Sequence, residues 1–286
     1  MSLTSGRGVA AALRDAGYQV REIDVAQDPG GILATLSPVP DVVFNALHGR
    51  GGEDGHIQAL LDLAGIPYTH SGMLASAIAM DKPMAKAVFR AAGLPVIEGR
   101  VAARKEIFTG DVMPAPYVVK PTNEGSSVGI IIVRRGENRV IAADDLRDEM
   151  LVERFVPGRE LTVAVMGDRA LPVIEIVSRG TWYDYDSKYA PGGSTHHCPA
   201  PIHRDTAAEA QRIAIAAHKA LGCRGITRAD LRYDDTGGEP GRLYLMEVNT
   251  QPGMTPTSLV PDAAAVEGIS YGDLVVWMVE HAQCDA

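Results

Sequence analysis

The first third of the chain alternates between helical and extended patterns of apolar residues. Helices are predicted at about 5–16 and 56–65, each closed by a glycine, and apolar strands are predicted at 18–25 and 41–47. Helices that alternate with short apolar strands indicate a parallel sheet with helices on both faces. The first predicted domain, an α/β unit, covers residues 1–79.

From residue 80 the pattern becomes strand-rich. The stretch MDKPMAKAVFRAAG predicts a helix that Asp81 caps and Gly93 ends. The hairpin APYVVKPTNEGSSVGIIIV lies at the centre of the segment that follows. The second predicted domain, a small strand-rich one, covers 80–152.

The rest of the chain mixes strands and helices. A long polar loop at 178–203 carries aromatic and glycine residues, and loops of this length are often lids or binding loops. The third predicted domain, 153–286, is therefore α+β, and the whole chain is α/β (α+β). Its predicted strands are 151–155, 159–166, 170–177, 224–234 and 242–249, and its predicted helices are 205–222, capped by Asp205, and 270–283.

A lysine ends the first strand of the central hairpin. Lys120 follows Tyr117, Val118 and Val119, and the loop NEGSSVG comes directly after it. Backbone N–H groups of such a loop can converge on phosphate oxygens, with a lysine adding a point charge. The loop has no Gly-Lys-Ser/Thr ending and is not a Walker A motif, so an ordinary hairpin turn is an equal alternative.

Two later strands carry oxygen-bearing side chains at alternating positions. In RLYLMEVN the alternation places Leu243 and Leu245 on one face with Glu247 and Asn249. In ITRADLRY, Arg228 and Asp230 share a face by the same rule. Asp230, Glu247 and Asn249 would form an all-oxygen set that suits Mg²⁺, with solvated polar strand ends as the alternative.

Three further stretches are weaker signals on their own. Glu153 and Glu160 flank the turn in ERFVPGRE, where carboxylates can accept hydrogen bonds from a ribose or an amine. His48 follows a predicted parallel strand, at the edge where ligands bind, but a structural role is equally compatible. His196, His197 and Cys198 lack a second ligand pair, which disfavours a metal site.

Composition narrows the classes of partner. The 286 residues carry a formal net charge of −9, which argues against a nucleic-acid or anionic-membrane surface. Three scattered cysteines show no metal spacing or disulfide framework, so a reducing cytoplasm is expected. No apolar run is long enough to span a bilayer.

Taken together, the motifs resemble the D-alanine–D-alanine ligases of the ATP-grasp superfamily. ALHGRGGEDG, SGMLASAIAMDK, VVKPTNEGSSVG, YDYDSKY, TRADL and MEVNTQPGMTPTSLVP match that family in order and approximate spacing, over nearly the whole chain. The resemblance implies an ATP-grasp fold with an N-terminal parallel α/β domain, a small central domain and a C-terminal α+β domain with a lid. It also implies a cytoplasmic homodimer that makes D-alanyl-D-alanine for peptidoglycan from D-alanine and ATP.

The resemblance also implies roles at matching positions. The cofactors would be ATP and two Mg²⁺ ions, with Mn²⁺ as a substitute. The residues fall into four groups: Lys82, Lys120, Glu153, Arg154, Val156, Glu160 and Lys188 for ATP; Asp230, Glu247 and Asn249 for the metal; Arg228, Ser126, Tyr189 and Gly253 for catalysis; and His48, Ser258 and Leu259 for the amino acids.

One part of the family pattern is missing from this sequence. The family begins with a strand and a Gly-rich loop bearing a glutamate, whereas this chain begins at MSLTSG. A misplaced start codon is one explanation, and a short form with weakened or lost activity is the other. A ligase that joins D-alanine to D-lactate and a non-catalytic nucleotide-binding protein are the rival functions.

Overall fold

The computed structural model describes residues 2–25, 31–110, 112–125, 129–136, 146–178 and 193–285. Among these residues, five helices precede the first strand. In α1, the buried side chains of Val9 and Leu13 are four residues apart and so lie on one face. The helices are α1 (Ser2–Asp15), α2 (Ile32–Thr35), α3 (His56–Leu63), α4 (Met73–Met80) and α5 (Lys82–Ala91).

The strands predicted at 18–25 and 41–47 are not formed, and this prediction was wrong. Parallel pairing is reduced there to one bridge between Val43 and Tyr68. The ladder stops because side chains take over the next hydrogen bonds. The backbone N–H of Asn45 donates to Thr69 Oγ1 (3.1 Å), and that of Leu47 donates to Asn45 Oδ1 (3.1 Å).

A four-stranded antiparallel sheet follows, in the order β1–β4–β2–β3. Lys120 pairs with Leu151 in the register of the two central strands, so it lies inside the sheet. Tyr117, Val119, Met150 and Val152 are buried in the core of this unit. Its elements are β1 (Gly99–Ala103), α6 (Arg104–Thr109), β2 (Tyr117–Pro121), β3 (Ile131–Val133) and β4 (Glu149–Arg154).

In the part of the chain that the structure describes, the second sheet has six strands, in the order β10–β9–β5–β7–β8 with β6 on β5, and all its pairs are antiparallel. Its elements are β5 (Arg159–Met166), β6 (Arg169–Ala170), β7 (Ile174–Ser178), β8 (Ser194–His197), α7 (Arg204–Ala220), β9 (Ile226–Asp234), β10 (Arg242–Asn249), α8 (Leu259–Val266) and α9 (Tyr271–Glu280).

Alternation along β5 sends apolar side chains to both faces of this sheet. Leu161 and Val163 join the core beneath α7, while Ala164 and Met166 join the core beneath α1, α8 and α9. Helix α7 begins at Arg204 and is capped by His203, whose Nδ1 accepts from the backbone N–H of Asp205 (3.3 Å). The predicted cap at Asp205 was therefore wrong.

A β-bulge in β10 overturns one predicted alternation. Leu245 pairs with Leu231 and Glu247 pairs with Asp230, which leaves Met246 as the extra residue. Leu243 and Leu245 lie in the core under α7 with Val248. Glu247 and Asn249 therefore point away from those leucines, into the cleft between the two sheets, and not to the same face as the sequence predicted.

Candidate active site

A narrow cavity of about 60 Å³ lies between the two sheets. Strand ends of both sheets and the first turn of α5 supply its charged side chains. Six of the positions expected to contact ATP line it, together with two of the expected metal ligands: Lys82, Lys120, Glu153, Arg154, Val156, Glu160, Asp230 and Glu247.

The floor of this cavity is an ionic cluster of Lys86, Lys120 and Glu153. Lys120 Nζ lies 2.6 Å from Glu153 Oε2, and Lys86 Nζ contacts the other oxygen of the same carboxylate. All three side chains are buried. Although burial opposes ionisation, the two lysines hold the pKa of Glu153 below its usual range.

The two lysines of the cluster respond differently to burial. Burial lowers the pKa of Lys120, but attraction by Glu153 and Glu247 outweighs it and holds that pKa above its ordinary value. Burial dominates at Lys86 and lowers its pKa despite the contact with Glu153. One carboxylate therefore faces two lysines, and the cluster favours an anion.

Lys82 lies between the ionic cluster and Glu247 of β10. It lies at the first position of α5, after Asp81, whose side chain caps the helix by accepting from the backbone N–H of Met84 (2.9 Å). Its Nζ donates to the carbonyl oxygen of Glu124 and lies 3.7 Å from Glu247 Oε2. Burial lowers the pKa of Lys82 more than Glu247 raises it.

Arg228 and Asp230 form a two-pronged ion pair on β9. The guanidinium Nε and a terminal nitrogen each lie 2.8 Å from an oxygen of Asp230, and Thr162 Oγ1 donates to the same carboxylate (2.6 Å). Both side chains are almost buried, so their directions are fixed. The shared face that the sequence predicted from alternation is confirmed, and the ion pair is an additional finding.

Asp230, Glu247 and Asn249 offer two carboxylates and one amide at the same end of two paired strands. The described residues hold no cluster of three or more His, Cys, Asp or Glu that could bind a metal ion by itself. The oxygen set fits Mg²⁺, which commonly takes one or two carboxylates and completes its shell with phosphates and water. Side-chain geometry thus suits an ion shared with a phosphate.

A larger cavity of about 470 Å³ opens on the other side of Glu247. His48 lies on one wall, with its Nδ1 3.7 Å from Glu53, and its Nε2 has no hydrogen-bond partner among the described residues. Ser258 lies on another wall and contacts Thr255 through its hydroxyl (2.8 Å). The expected positions on this cavity are His48, Lys82, Arg228, Glu247, Asn249, Gly253, Ser258 and Leu259.

The two cavities share Lys82, Gly125 and Glu247 as walls. A phosphoryl group in the narrow cavity would therefore lie next to a small molecule in the larger one. The guanidinium carbon of Arg154 lies 5.1 Å from the centre of the Tyr244 ring. A carboxylate oxygen of Glu160 lies 3.6 Å from a guanidinium nitrogen of Arg232. Ser126, Lys188 and Tyr189 lie outside the described residues.

Sequence reasoning missed one residue that lines these cavities and two that contact their walls. Lys86 lies one helical turn after Lys82, so helical spacing could have placed it on the same face. Glu53 belongs to a motif that was noted, yet only His48 was chosen from it. Gln251 contacts a loop 204 positions earlier in the chain, and no local pattern indicates that contact.

Known proteins resemble the chain in both sequence and structure. Family models described as "D-ala D-ala ligase C-terminus" and "D-ala D-ala ligase N-terminus" match residues 84–280 and 33–71. A D-alanine–D-alanine ligase of Paramagnetospirillum magneticum is 59% identical over 100% of this chain and 94% of that protein. The one of Granulibacter bethesdensis is 56% identical over the same shares.

A solved structure agrees with these matches. The D-alanine–D-alanine ligase of Bacillus anthracis complexed with ATP has a TM-score of 0.79 and 28% identity, and covers 98% of this chain and 91% of its own. Fold and cleft together define a ligase of the ATP-grasp type, with the charged cleft between two antiparallel sheets. The chain belongs to the D-alanine–D-alanine ligase family.

Proposed function

We propose that this chain joins two molecules of D-alanine into D-alanyl-D-alanine at the expense of ATP, with Mg²⁺ bound beside the phosphates. The shared wall of Lys82 and Glu247 between the two cavities carries the proposal. It brings a transferring phosphoryl group within reach of a bound amino acid, as a ligase requires. The family relatives, named for this activity, support the same substrates.

A carboxylate must be activated before an amine can displace its oxygen. In the first step, a carboxylate oxygen of the first D-alanine attacks the γ-phosphorus, the bond to ADP breaks, and an acyl phosphate forms. Lys82 and Lys120 are positioned to neutralise the phosphate charge. Asp230, Glu247 and Asn249 would hold Mg²⁺, which supplies further charge neutralisation when bound.

In the second step, the neutral amine of the second D-alanine attacks the acyl carbon. The amine loses a proton, and phosphate leaves with the oxygen that it received. Arg228, held by Asp230, and the backbone N–H of Gly253 are proposed to face the oxyanion of the tetrahedral intermediate. His48 is proposed to face the first D-alanine, and Ser258 and Leu259 the second.

The lid and the pocket for adenine and ribose complete the proposed site. Ser126 and Tyr189 are proposed to join the substrate hydrogen-bond network, and Lys188 to cover the γ-phosphate on a lid at 178–203. Glu153, Arg154 and Val156 would line the adenine pocket, with Glu160 on the ribose. Chemical logic supports a lid, because water would hydrolyse an acyl phosphate.

A homodimer in the cytoplasm is the proposed setting. Leu63 and Leu74 lie on helices in mutual contact and expose 85% and 64% of their surfaces, so association would bury apolar area. All three cysteines are free. No helix of the described segments is long and apolar enough to cross a membrane. Sedimentation of the purified protein at several concentrations tests the dimer.

ADP release tests the proposed reaction. The protein is supplied with Mg-ATP and D-alanine, L-alanine, D-alanine plus D-lactate, or no amino acid, and the product is identified by mass. We expect release only with D-alanine present, and a dipeptide as product at neutral pH. Equal release with L-alanine, or a product that contains lactate in preference to the dipeptide, would contradict the proposal.

A further inference from the structure

Three buried amide side chains join the loop after Val43 to the loop after β10. Asn45, Gln58 and Gln251 are each at most 3% exposed, and none belongs to the cavity walls described above. Buried amides are costly unless their donors and acceptors are paired. Their hydrogen bonds therefore fix the relative position of the two loops.

Gln251 is the centre of this amide cluster. Its Oε1 accepts from Asn45 Nδ2 (2.8 Å) and Gln58 Nε2 (3.4 Å), and its Nε2 donates to the carbonyl oxygen of Leu47. Its backbone N–H donates to Asn249 Oδ1 (2.9 Å). Gln251 thus contacts both the start of the loop at residues 47–52, named the substrate loop here, and Asn249, an expected metal ligand.

The last residue of the substrate loop, Gly52, is hydrogen-bonded to the same cluster. The carbonyl oxygen of Gly52 accepts from Asn45 Nδ2 and from Gln58 Nε2, each at 3.0 Å. A Cβ at Gly52 would lie 2.5 Å from Leu47 Cβ, so the two ends of the loop are in close contact. The amide cluster therefore holds both ends of the loop.

This loop carries His48, and the loop that follows β10 carries Gly253. The two residues line the larger cavity. The separation between their loops depends on the bonds of Gln251 to Leu47 and Asn45, since the Val43–Tyr68 bridge ends before this point. The amide cluster thus bounds the width of the larger cavity, and none of its three side chains lines the narrow cavity.

We infer that Gln251 is a positioning residue that sets the distance between the His48 loop and the Gly253 loop, and thereby the binding of D-alanine. The inference rests on the proposed function for its substrate. Gln251→Met keeps the length of the side chain, removes every hydrogen bond of the side-chain amide, and leaves the backbone N–H bond to Asn249 in place. The apparent KM for D-alanine rises about tenfold, whereas the KM for ATP changes less than about twofold.

Gln211→Met is the matched control. Gln211 lies on α7 and lines neither cavity, and its Nε2 donates to the carbonyl oxygen of Leu171 (3.0 Å). Loss of this hydrogen bond leaves both KM values unchanged. Gln58→Met is the milder variant for use if Gln251→Met does not fold. Gln58 Oε1 has no partner in the described residues, and Gln58 Nε2 donates to the same two oxygens as Asn45 Nδ2. Because Asn45 keeps those bonds in the variant, the KM for D-alanine rises only about threefold.

Amide hydrogen exchange of residues 47–55 gives a readout that needs no activity. In Gln251→Met these amides exchange about tenfold faster than in the parent chain, and in Gln211→Met they do not change. Unchanged exchange, an unchanged D-alanine KM in a folded variant, or equal rises in both KM values would overturn the inference. A parent chain without D-alanine-dependent ADP release refutes the function alone, and exchange then decides the role of Gln251.

Discussion

Two buried polar clusters flank the cleft, and they differ in chemistry. Lys86, Lys120 and Glu153 form the ionic cluster beneath the narrow cavity. Asn45, Gln58 and Gln251 form the neutral amide cluster behind the larger one. The ionic cluster has one more cation than anion and suits phosphates, whereas the amide cluster carries no charge and fixes shape.

The clusters also differ in what holds them together. Two buried lysines share the carboxylate of Glu153 as their ion-pair partner, so its loss leaves Lys86 and Lys120 without that contact. The amides share several donors and acceptors, so loss of any one bond leaves others in place. The same degree of burial therefore produces a sensitive charge site on one side of the cleft and a redundant scaffold on the other.

Glu153→Gln is expected to have the largest effect. Breaking a buried ion pair by removing one partner costs about 3–5 kcal/mol, and two lysines are affected here. The measurement is urea unfolding at pH 7. Glu149→Gln, on the same strand but exposed, is the control and should change stability by less than about 0.5 kcal/mol. Equal losses of unfolding free energy in both variants would show that the ionic cluster contributes no more to stability than an exposed glutamate does.

Lys120→Met should separate the clusters by function. It leaves Glu153 paired with Lys86 and removes one cation from the narrow cavity. We expect the KM for ATP to rise about a hundredfold, through loss of a charge close to the phosphates. Steady-state ADP release measures it, with the exposed Lys105→Met as control. A larger rise in the KM for D-alanine than in the KM for ATP would contradict the prediction that Lys120 acts on ATP.

His70 adds an acid-sensitive element next to the amide cluster. It follows Thr69, is buried, has a left-handed backbone (φ +72°), and burial lowers its pKa to about 3. Because the unfolded chain binds the proton near pH 6.5, stability is complete above that pH and falls as pH decreases towards 3. A single such group costs at most about 1.4 kcal/mol per pH unit, or about 2 kcal/mol at pH 5.

His70→Asn tests this pH dependence, since Asn tolerates a left-handed backbone and does not titrate. Unfolding free energy measured from pH 8 to pH 5 should fall less steeply in the variant. Part of the slope remains, because burial also lowers the pKa of His218 to about 4. The exposed His281→Asn is the control. An unchanged slope in His70→Asn would show that His70 is not buried in its neutral form.

Thr69→Val is expected to have the smallest effect. It removes the hydroxyl that accepts from the backbone N–H of Asn45, at a cost of about 1 kcal/mol. The exchange rate of that N–H is the direct measurement, and it should rise. Thr69→Ser keeps the acceptor and should keep the N–H protected. Similar exchange in both variants would show that the amide cluster does not depend on this contact.

Sequence patterns predicted the elements whose signals are local. The strands at 159–166 and 242–249 have the predicted bounds, and Asp81 caps its helix through a side chain three residues from its partner. Alternation placed Arg228 beside Asp230 correctly. Most candidate residues in the described segments come together at the cleft, although their roles stay predictions.

Other features depend on contacts that are distant in sequence. The ladder after Val43 ends because Thr69 competes for a backbone donor, which no pattern in 41–47 shows. The bulge at Met246 reverses an alternation that is otherwise regular. Gln251 acts through Leu47 and Asn45, and its role appears only when the two loops are seen together.

The oxygen atoms of D-alanine report directly on phosphoryl transfer between the two cavities. D-Alanine labelled with ¹⁸O at both carboxylate oxygens is converted with unlabelled Mg-ATP in unlabelled water, and the released phosphate is analysed by mass. If the carboxylate in the larger cavity attacks the phosphoryl group across the Lys82–Glu247 wall, each phosphate carries one ¹⁸O. Dipeptide formation with unlabelled phosphate would contradict transfer between the two cavities.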